Sequence, residues 1–424
     1  MADVKADGKA AEVLRPILQG LIDKLLHEEV ISYTQIVQMM EAGFQRSGHR
    51  APRPDGWRRR VLVLRMDEIG DNVLGSAFLR ELRRVLPDAE IDLLVKKTAY
   101  PMMEYCPYAD HVAGVQVPKE LVTEQLFPWI LELCNGMLWE RQYDLCVLPR
   151  WDVDECLTTL LAFACGARER VAFSERVSPI KRRLNKGYDR LLTRVAMTPP
   201  YAVHEVEKSL YLLRAFGARA QRDDVELWLD TESVASAKAR LAAASGRPVA
   251  VAVSTREARK TYPPKKLAAA LKELLDTDAT FFLLGGPDDQ KAAATVARAL
   301  PKDRVVNVAG KTQLRESAAL IGMSALYLGG DTGLTHIAAA AHRPIVEWFC
   351  HPQDTMVSVN SAFARFYPWQ AQSIVLQPEH AAKECRKVLT EFSEIAGCNS
   401  KFEAHCIKNI DPHAIAAAAR RFLK

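Results

Sequence analysis

The chain has 424 residues, 49% of them hydrophobic and 26% charged, with a formal net charge of +5. That is the balance of a globular protein of two or three domains, and it excludes a disordered or fibrous chain. No apolar run approaches the roughly 18 residues that a membrane span needs, and the charged start Met1–Lys9 leads into no signal-like apolar core, which argues against secretion.

Residues 1–58 read as a helical extension and linker. Leu14, Ile17, Leu18, Leu21, Leu25 and Leu26 recur at helical spacing over Ala11–His27, and a second helix is predicted over Ser32–Ala42. The acidic residues Asp23, Glu28 and Glu29 on the polar face favour packing against the body or a sister subunit over a membrane-surface anchor. Arg50–Gly56, with Pro52 and Pro54, is a linker by composition.

Residues 59–222 hold a first alternation of strands and helices. Strands are predicted at Val61–Arg65, Ile91–Val95, His111–Val115, Tyr143–Leu148 and Arg170–Phe173, with the last closing the series. Helices are expected at Asn72–Val85, Glu120–Met137, Asp154–Cys165 and Val203–Phe216, the last ended by Gly217. Residues 223–424 repeat the pattern, with a helix at Thr231–Ala244 and strands at Val249–Val253, Thr280–Leu284, Val305–Val308, Ala325–Leu328 and Ile345–Phe349. Helices at Pro263–Leu275, Lys291–Leu300 and Leu314–Ile321 lie between them. Such alternation makes parallel sheets covered on both faces. Two runs of it predict two Rossmann-like domains facing one cleft, with ligands at the carboxyl ends of the strands.

Two strand-to-helix junctions carry chemistry. In Leu326–His336, Gly329 and Gly330 provide a turn, Asp331 and Thr332 are good N-cap residues, and Leu334, Ile337, Ala338 and Ala341 recur at helical spacing. A helix that starts there offers free N–H groups and a positive dipole end to an anion. Thr335 adds a hydroxyl, and His336 lies one turn in. In Arg65–Leu74, Gly70 allows the turn after the first strand and Asp71 sits at or beside the next N-cap, where a carboxylate is favoured as the anion. Either junction alone reads as plain helix capping. Neither G-x-G-x-x-G nor a Walker A sequence follows the first strand, which weakens a nicotinamide or nucleoside-triphosphatase reading.

Together, Ile69-Gly70-Asp71 before Phe78–Leu82 and Asp331-Thr332-Gly333-Leu334-Thr335-His336 resemble glycosyltransferase family 9, the lipopolysaccharide heptosyltransferases. The likeness takes in about 60–424, including Tyr188–Thr193, His204-Glu205 and the Cys398…His405-Cys406 tail. The resemblance implies an α/β GT-B fold and inverting, metal-independent transfer of a heptose from a nucleotide-diphospho-sugar such as ADP-heptose. It implies Asp71 as general base and Lys260, in Lys260-Thr261-Tyr262-Pro263, as a donor contact, with Tyr262 where Trp is more usual. It implies Asp288 on the ribose, where the family often has Glu, and Asp331, Thr332, Gly333, Thr335 and His336 around the diphosphate and sugar. This agrees with the chemistry, which needs a base for the acceptor hydroxyl and a positive site for the leaving diphosphate.

The charge is uneven: Arg168–Arg194 holds nine basic residues against Glu169, Glu175 and Asp189, a balance of +6. Arg182, Arg183 and Lys186 in this stretch are candidates for an acidic acceptor such as a phosphorylated lipopolysaccharide core. A solvated loop or contact with anionic lipid are the alternatives. Only Phe173 and Tyr188 interleave with the charges, so nucleic acid ranks last. Trp151, Asp152, Asp154 and Glu155 either reach the acceptor or cap the next helix. His342 and His351 read as structural. The nine cysteines are odd in number and scattered, as free thiols in a reducing cytoplasm would be. Cys385, Cys398, His405 and Cys406 lack the short pairing of a structural zinc site, so neither a metal nor a cofactor is expected.

The sequence therefore predicts a cytoplasmic heptosyltransferase with a lipopolysaccharide-type or other glycan acceptor and peripheral contact with the inner membrane. The alternatives are a protein-glycosylating relative with another donor, or a catalytically silent sugar-nucleotide-binding scaffold.

Overall fold

Aliphatic runs such as Val61–Leu64 and Val249–Ala252 are apolar at every position, not at alternate ones, because both faces of the strand are covered. In the computed structural model each run forms a central strand of a six-stranded sheet. The structure describes residues 9–26, 35–36, 38, 53, 55–118, 123–242, 244–353, 362–381 and 406–424. The first sheet is built from β1 (Arg60–Arg65), β2 (Glu90–Lys96), β3 (His111–Val115), β4 (Leu145–Leu148), β5 (Glu169–Phe173) and β6 (Arg194–Ala196), in the order β3-β2-β1-β4-β5-β6. The second is built from β7 (Arg247–Ala252), β8 (Ala279–Leu284), β9 (Val305–Asn307), β10 (Leu326–Gly330), β11 (Ile345–Trp348) and β12 (Ser373–Leu376), in the order β12-β11-β10-β7-β8-β9.

All the strand pairings are parallel. Counted from each sheet's own first strand, the two orders are the same. Both reverse direction beside that strand, between β1 and β4 and between β7 and β10. Loops at the carboxyl ends of strands flanking such a reversal are where open α/β sheets bind ligands. They contain Asp67 and Arg150 in the first sheet, and Ser254 and Asp331 in the second. The α/β GT-B class read from the sequence holds.

The chain packs as two compact units. One comprises Met1–Glu68, Ala77–Ala202 and Glu207–Asp223; the other comprises Ile69–Ser76, Val203–Val206 and Asp224–Lys424. The short segment Ile69–Ser76, directly after β1, therefore packs with the second unit.

Several expectations change. Arg170–Phe173 does not close the first series, since β6 adds an edge strand at the end of the basic stretch, and β12 was not foreseen. The helix expected over Asn72–Val85 is two pieces, Ile69–Leu74 and Ser76–Val85. Asp71 lies in the first turn of the former, not at its cap. Beyond Leu133, the helix Thr123–Leu133 continues as one π-helical stretch, Cys134–Leu138.

The extension's helix, Lys9–Leu26, packs on the body: Leu14 and Leu18 are fully buried in one core with Leu126, Phe127 and Ile130. Gln35, Ile36 and Gln38 are helical, and the rest of the helix predicted over Ser32–Ala42 lies outside the described residues. Arg53 ties the end of the linker down, with Nε donating to Asp144 Oδ1 at 2.7 Å and its guanidinium 4.2 Å from the Trp57 ring centre. Among the described residues no helix is long and apolar enough to cross a membrane.

Candidate active site

The glycines at the end of β10 are there for close packing more than for a turn. A Cβ on Gly329 would fall 2.2 Å from Tyr327 Oη, and one on Gly330 would fall 3.0 Å from Trp348 Nε1. Thr332 caps the helix Gly333–Ala340, its hydroxyl accepting from the Leu334 N–H at 3.2 Å. The Thr335 hydroxyl donates to the Gly330 carbonyl at 2.6 Å and is fully buried, so it holds the loop in place.

The charged centre of this loop is an ion pair. Lys260 Nζ lies 2.8 Å from Asp331 Oδ2 and 3.3 Å from Glu257 Oε1. Burial works against both charges of the pair. Asp331 and Glu257 outweigh it for Lys260, whose ammonium titrates well above its usual range. Lys260 outweighs it for Asp331, whose carboxyl titrates below its usual range. The neighbouring histidines are neutral at pH 7, because burial pushes both His336 and His351 down to about 4. Glu347, on β11 in register with Gly329, behaves oppositely. It is 1% exposed, and burial followed by the nearby Asp331 charge pushes its carboxyl well above the usual range. Among the described residues, both Glu347 carboxyl oxygens and His336 Nδ1 lack hydrogen-bond partners.

The two sequence junctions meet within the second unit. The short helix Ile69–Leu74 packs on Gly333–Ala340, and the contact depends on two glycines. A Cβ on Gly70 would stand 2.5 Å from His336 Cδ2 and 3.3 Å from Gly333 Cα. A Cβ on Gly333 would stand 3.0 Å from Ile69 Cβ. Asp71 directly follows Gly70, and its backbone carbonyl accepts from the Gly75 N–H at 2.9 Å.

Other candidates fall elsewhere. Asp288 is exposed. Its neighbour Asp289 is the one tied in, accepting from the Gly286 N–H at 2.7 Å and from the Ser254 hydroxyl at the end of β7. Tyr262 is buried, and its hydroxyl donates to the Ile410 carbonyl at 2.8 Å, which makes it a packing residue. Arg182, Arg183 and Lys186 are exposed, whereas Lys181 between the same elements is fully buried. Asp154 is a helix cap, accepting from both the N–H and the hydroxyl of Thr158 and of Thr159. Asp67 is clamped between Arg65 at 3.1 Å and Arg150.

His204 and Glu205 hold a segment of the second unit. His204 Nε2 lies 3.0 Å from the Tyr367 carbonyl, and Glu205 pairs with Arg365 at 2.7 Å. Cys385, Cys398 and His405 lie outside the described residues. Glu90, Asp92 and His111 bring three ligand atoms together, but Arg141 already sits on both carboxylates, at 2.6 and 2.8 Å. Glu257, Asp289, Glu347 and His351 were not singled out from the sequence as parts of the Lys260–Asp331 neighbourhood. The one signal available was a glutamate within an otherwise apolar strand.

Against known proteins, the family model for glycosyltransferase family 9 (heptosyltransferase) matches residues 140–395. The chain belongs to glycosyltransferase family 9. It is therefore a glycosyltransferase of heptosyltransferase type. It is 24% identical over 286 residues to lipopolysaccharide heptosyltransferase 3 of Escherichia coli K12, covering 66% of this chain and 79% of that protein. It is 23% identical over 315 residues to lipopolysaccharide heptosyltransferase 2 of the same strain, covering 68% and 81%. In structure it is similar to a family 9 glycosyl transferase from Veillonella parvula, with a TM-score of 0.65, 18% identity and coverage of 86% and 97%. It is also similar to Escherichia coli ADP-heptose lipopolysaccharide heptosyltransferase II, with a TM-score of 0.63, 17% identity and coverage of 86% and 98%. These likenesses place the fold of both sheets within the family.

Proposed function

We propose that this enzyme transfers a heptose from ADP-heptose to a hydroxyl of a lipopolysaccharide-type acceptor. The observation that carries the reading is the Lys260–Asp331 ion pair at the start of Gly333–Ala340, with the Asp71-bearing helix packed on that same helix. Asp71 is the proposed general base. A carboxylate is a weak base toward a hydroxyl, so much of its effect comes from positioning. Lys260, the Gly333 end of the helix and His336 are proposed to hold the diphosphate. An incoming diphosphate competes with Asp331 for Lys260 and meets a neutral His336 that can accept or donate a hydrogen bond. Charge that develops on the leaving diphosphate then faces a fixed cation and a helix N-terminus.

Thr332, Thr335 and Gly333 shape this loop. Asp288 is the proposed ribose contact, with Asp289 as the residue that sets its loop. Arg182, Arg183 and Lys186 are the proposed contacts for anionic groups of the acceptor.

The test is a thermal-shift panel of ADP-, UDP-, GDP- and dTDP-sugars on the pure protein. It is followed by assay of nucleotide-diphosphate release with ADP-heptose and a heptose-free lipopolysaccharide core. A ligand that binds only the folded state raises its apparent stability. The expected outcome is a shift with ADP-heptose and acceptor-dependent ADP release. A shift with another nucleotide sugar alone would replace the donor, and binding without release would leave a silent scaffold.

A further inference from the structure

Glu347 interrupts the otherwise apolar strand β11 and has no part in the transfer proposed above. It is 1% exposed, and among the described residues neither carboxyl oxygen has a hydrogen-bond partner. A buried carboxyl in that state costs stability, whereas an apolar side chain of the same size would not. Such a group calls for a partner that it engages at another stage of the enzyme's work.

The sheet brings one acceptor within its reach. Glu347 is in register with Gly329, and side chains alternate between faces along a strand, so Glu347 shares a face with Gly329 and Tyr327. The Tyr327 hydroxyl fills the place of the side chain that Gly329 lacks. Thr335 Oγ1 lies 3.3 Å from that hydroxyl, so this is the face that the helix Gly333–Ala340 covers. Asp331 follows Gly329 by two residues, where β10 runs into this helix. The charges that act on Glu347 are those of Asp331 and Lys260, which lie 2.8 Å apart. Burial and the Asp331 charge keep the proton on Glu347. It therefore has an O–H to donate, and Asp331, held as the anion by Lys260, has a carboxylate to accept it. In the ligand-free protein Lys260 occupies that carboxylate.

We propose that Glu347 is a positioning residue: when a diphosphate draws Lys260 away, the Glu347 O–H turns to the Asp331 carboxylate and holds it in place. The inference rests on the donor reading above. The proton stays on Glu347, so no charge moves. A hydrogen bond from an acid to a carboxylate is short and strong. It keeps the Asp331 side chain, only 12% exposed, from facing the incoming phosphates as an anion without a partner. The destabilisation that Glu347 brings to the ligand-free protein is offset in the bound one.

The test uses Lys260→Met as a ligand-free stand-in for the lysine drawn away. In the parent, Glu347→Met should raise the midpoint of urea unfolding, because it removes an unpaired buried acid. In Lys260→Met the same change should lower the midpoint, because Asp331 then loses the acid that replaced its cation. Glu347→Gln should keep its stability in that second background, since its amide N–H can donate to Asp331. Calorimetric titration with ADP is the other readout. Glu347→Met should weaken ADP binding by on the order of tenfold, and Glu347→Gln should recover it to within about threefold of the parent. A midpoint shift of the same sign in both backgrounds would overturn the proposal. Equal ADP affinity in the parent and Glu347→Met would also overturn it, while leaving the donor site standing. A parent that binds no ADP would overturn the donor reading instead, and the sign of the two midpoint shifts would still decide whether Glu347 takes Asp331.

Discussion

The Cβ that Gly70 lacks would lie 2.5 Å from Cδ2 of His336. A real Cβ does not come that close to another heavy atom, so the glycine is what lets the helix Ile69–Leu74 rest on Gly333–Ala340. The two stretches that stand out in the sequence are in contact through backbone and one imidazole. Asp71 is held near the helix Gly333–Ala340 by this packing.

Gly70→Ala should force His336 or the short helix to move. We expect a loss of about 1–3 kcal/mol in stability, the usual effect of overpacking, and a larger proportional loss in kcat/KM. Gly20→Ala is the control: its added Cβ meets nothing within 4 Å, and it lies inside the helix Lys9–Leu26. That variant should gain up to about 1 kcal/mol from helix propensity and keep full activity. Urea denaturation and steady-state kinetics of both variants decide the matter, and unchanged kinetics in Gly70→Ala would remove the contact from the catalytic argument.

The core strands were legible because each is a short, continuous apolar run between polar loops, as at Val61–Leu64 and Thr280–Leu284. β6 and β12 were not. β6 is a three-residue edge strand with Arg194 and Val195 exposed, so it lacks the buried run that marks a central strand. The residue types of the loop after β10 were readable from the spacing in Asp331–His336. Its neighbours Glu347 and His351 were not, because they come near Asp331 and Lys260 only through the sheet order, whereas Glu257 lies three residues from Lys260 in the same loop. The choice between Asp288 and Asp289 depends on which side chain turns inward, which spacing does not encode. The glycine contact between Gly70 and Gly333 joins segments from opposite ends of the chain and has no periodic signature.

Asp71→Asn keeps the size of the side chain and nearly keeps its behaviour in a first helical turn. The fold should therefore survive with little loss. If Asp71 is the general base, turnover should fall by about 10²–10⁴-fold while the Kd for the donor changes little. Turnover within a few-fold of the parent in a folded protein would return Asp71 to a structural role.

Lys260→Met removes the cation that holds Asp331 ionised in a buried setting. Loss of one charged hydrogen bond costs on the order of 1.5–3 kcal/mol, so affinity for the nucleotide diphosphate should fall about 10- to 150-fold, with less effect on the free nucleoside. Pairing it with Asp331→Asn gives a double-mutant cycle. Side chains in contact should show non-additive stability effects, and strict additivity would mean that the 2.8 Å pair carries no coupling.

The helix Lys9–Leu26 of the extension packs on the body. Leu14 and Leu18 are fully buried in the core of the first unit, so its removal should expose that core. Leu14→Ala should cost about 2–5 kcal/mol by urea denaturation, and a chain lacking residues 1–26 should aggregate more readily. A truncated protein as stable as the parent would show that the helix contributes little.

Stability should depend on pH in two opposed windows set by groups around Asp331. Burial holds His336 and His351 at about 4 in the folded state, against a usual value of 6.5. Between these values the unfolded chain binds protons that the folded chain does not, so stability is present above about pH 6.5 and is lost as pH falls toward 4. Each histidine contributes on the order of 3 kcal/mol to that loss at about 1.4 kcal/mol per unit. Glu347 acts the other way. Burial and the Asp331 charge raise its carboxyl well above the usual 4.5, so the folded chain holds a proton that the unfolded chain has released. Its effect is neutral below about pH 4.5 and becomes a growing destabilisation relative to the acid state as pH rises toward the folded value. Glu347→Gln is uncharged at every pH and should remove this second slope while leaving the acid one intact. His336→Gln and His351→Gln should each shallow the acid slope and leave the other. Urea unfolding of the parent and these variants between about pH 4 and 9 separates the two. If Glu347→Gln retains the parent's decline above about pH 6.5, where both histidines are neutral in either state, another group carries it, and the carboxyl beneath Gly329 is not held as the neutral acid that its burial implies.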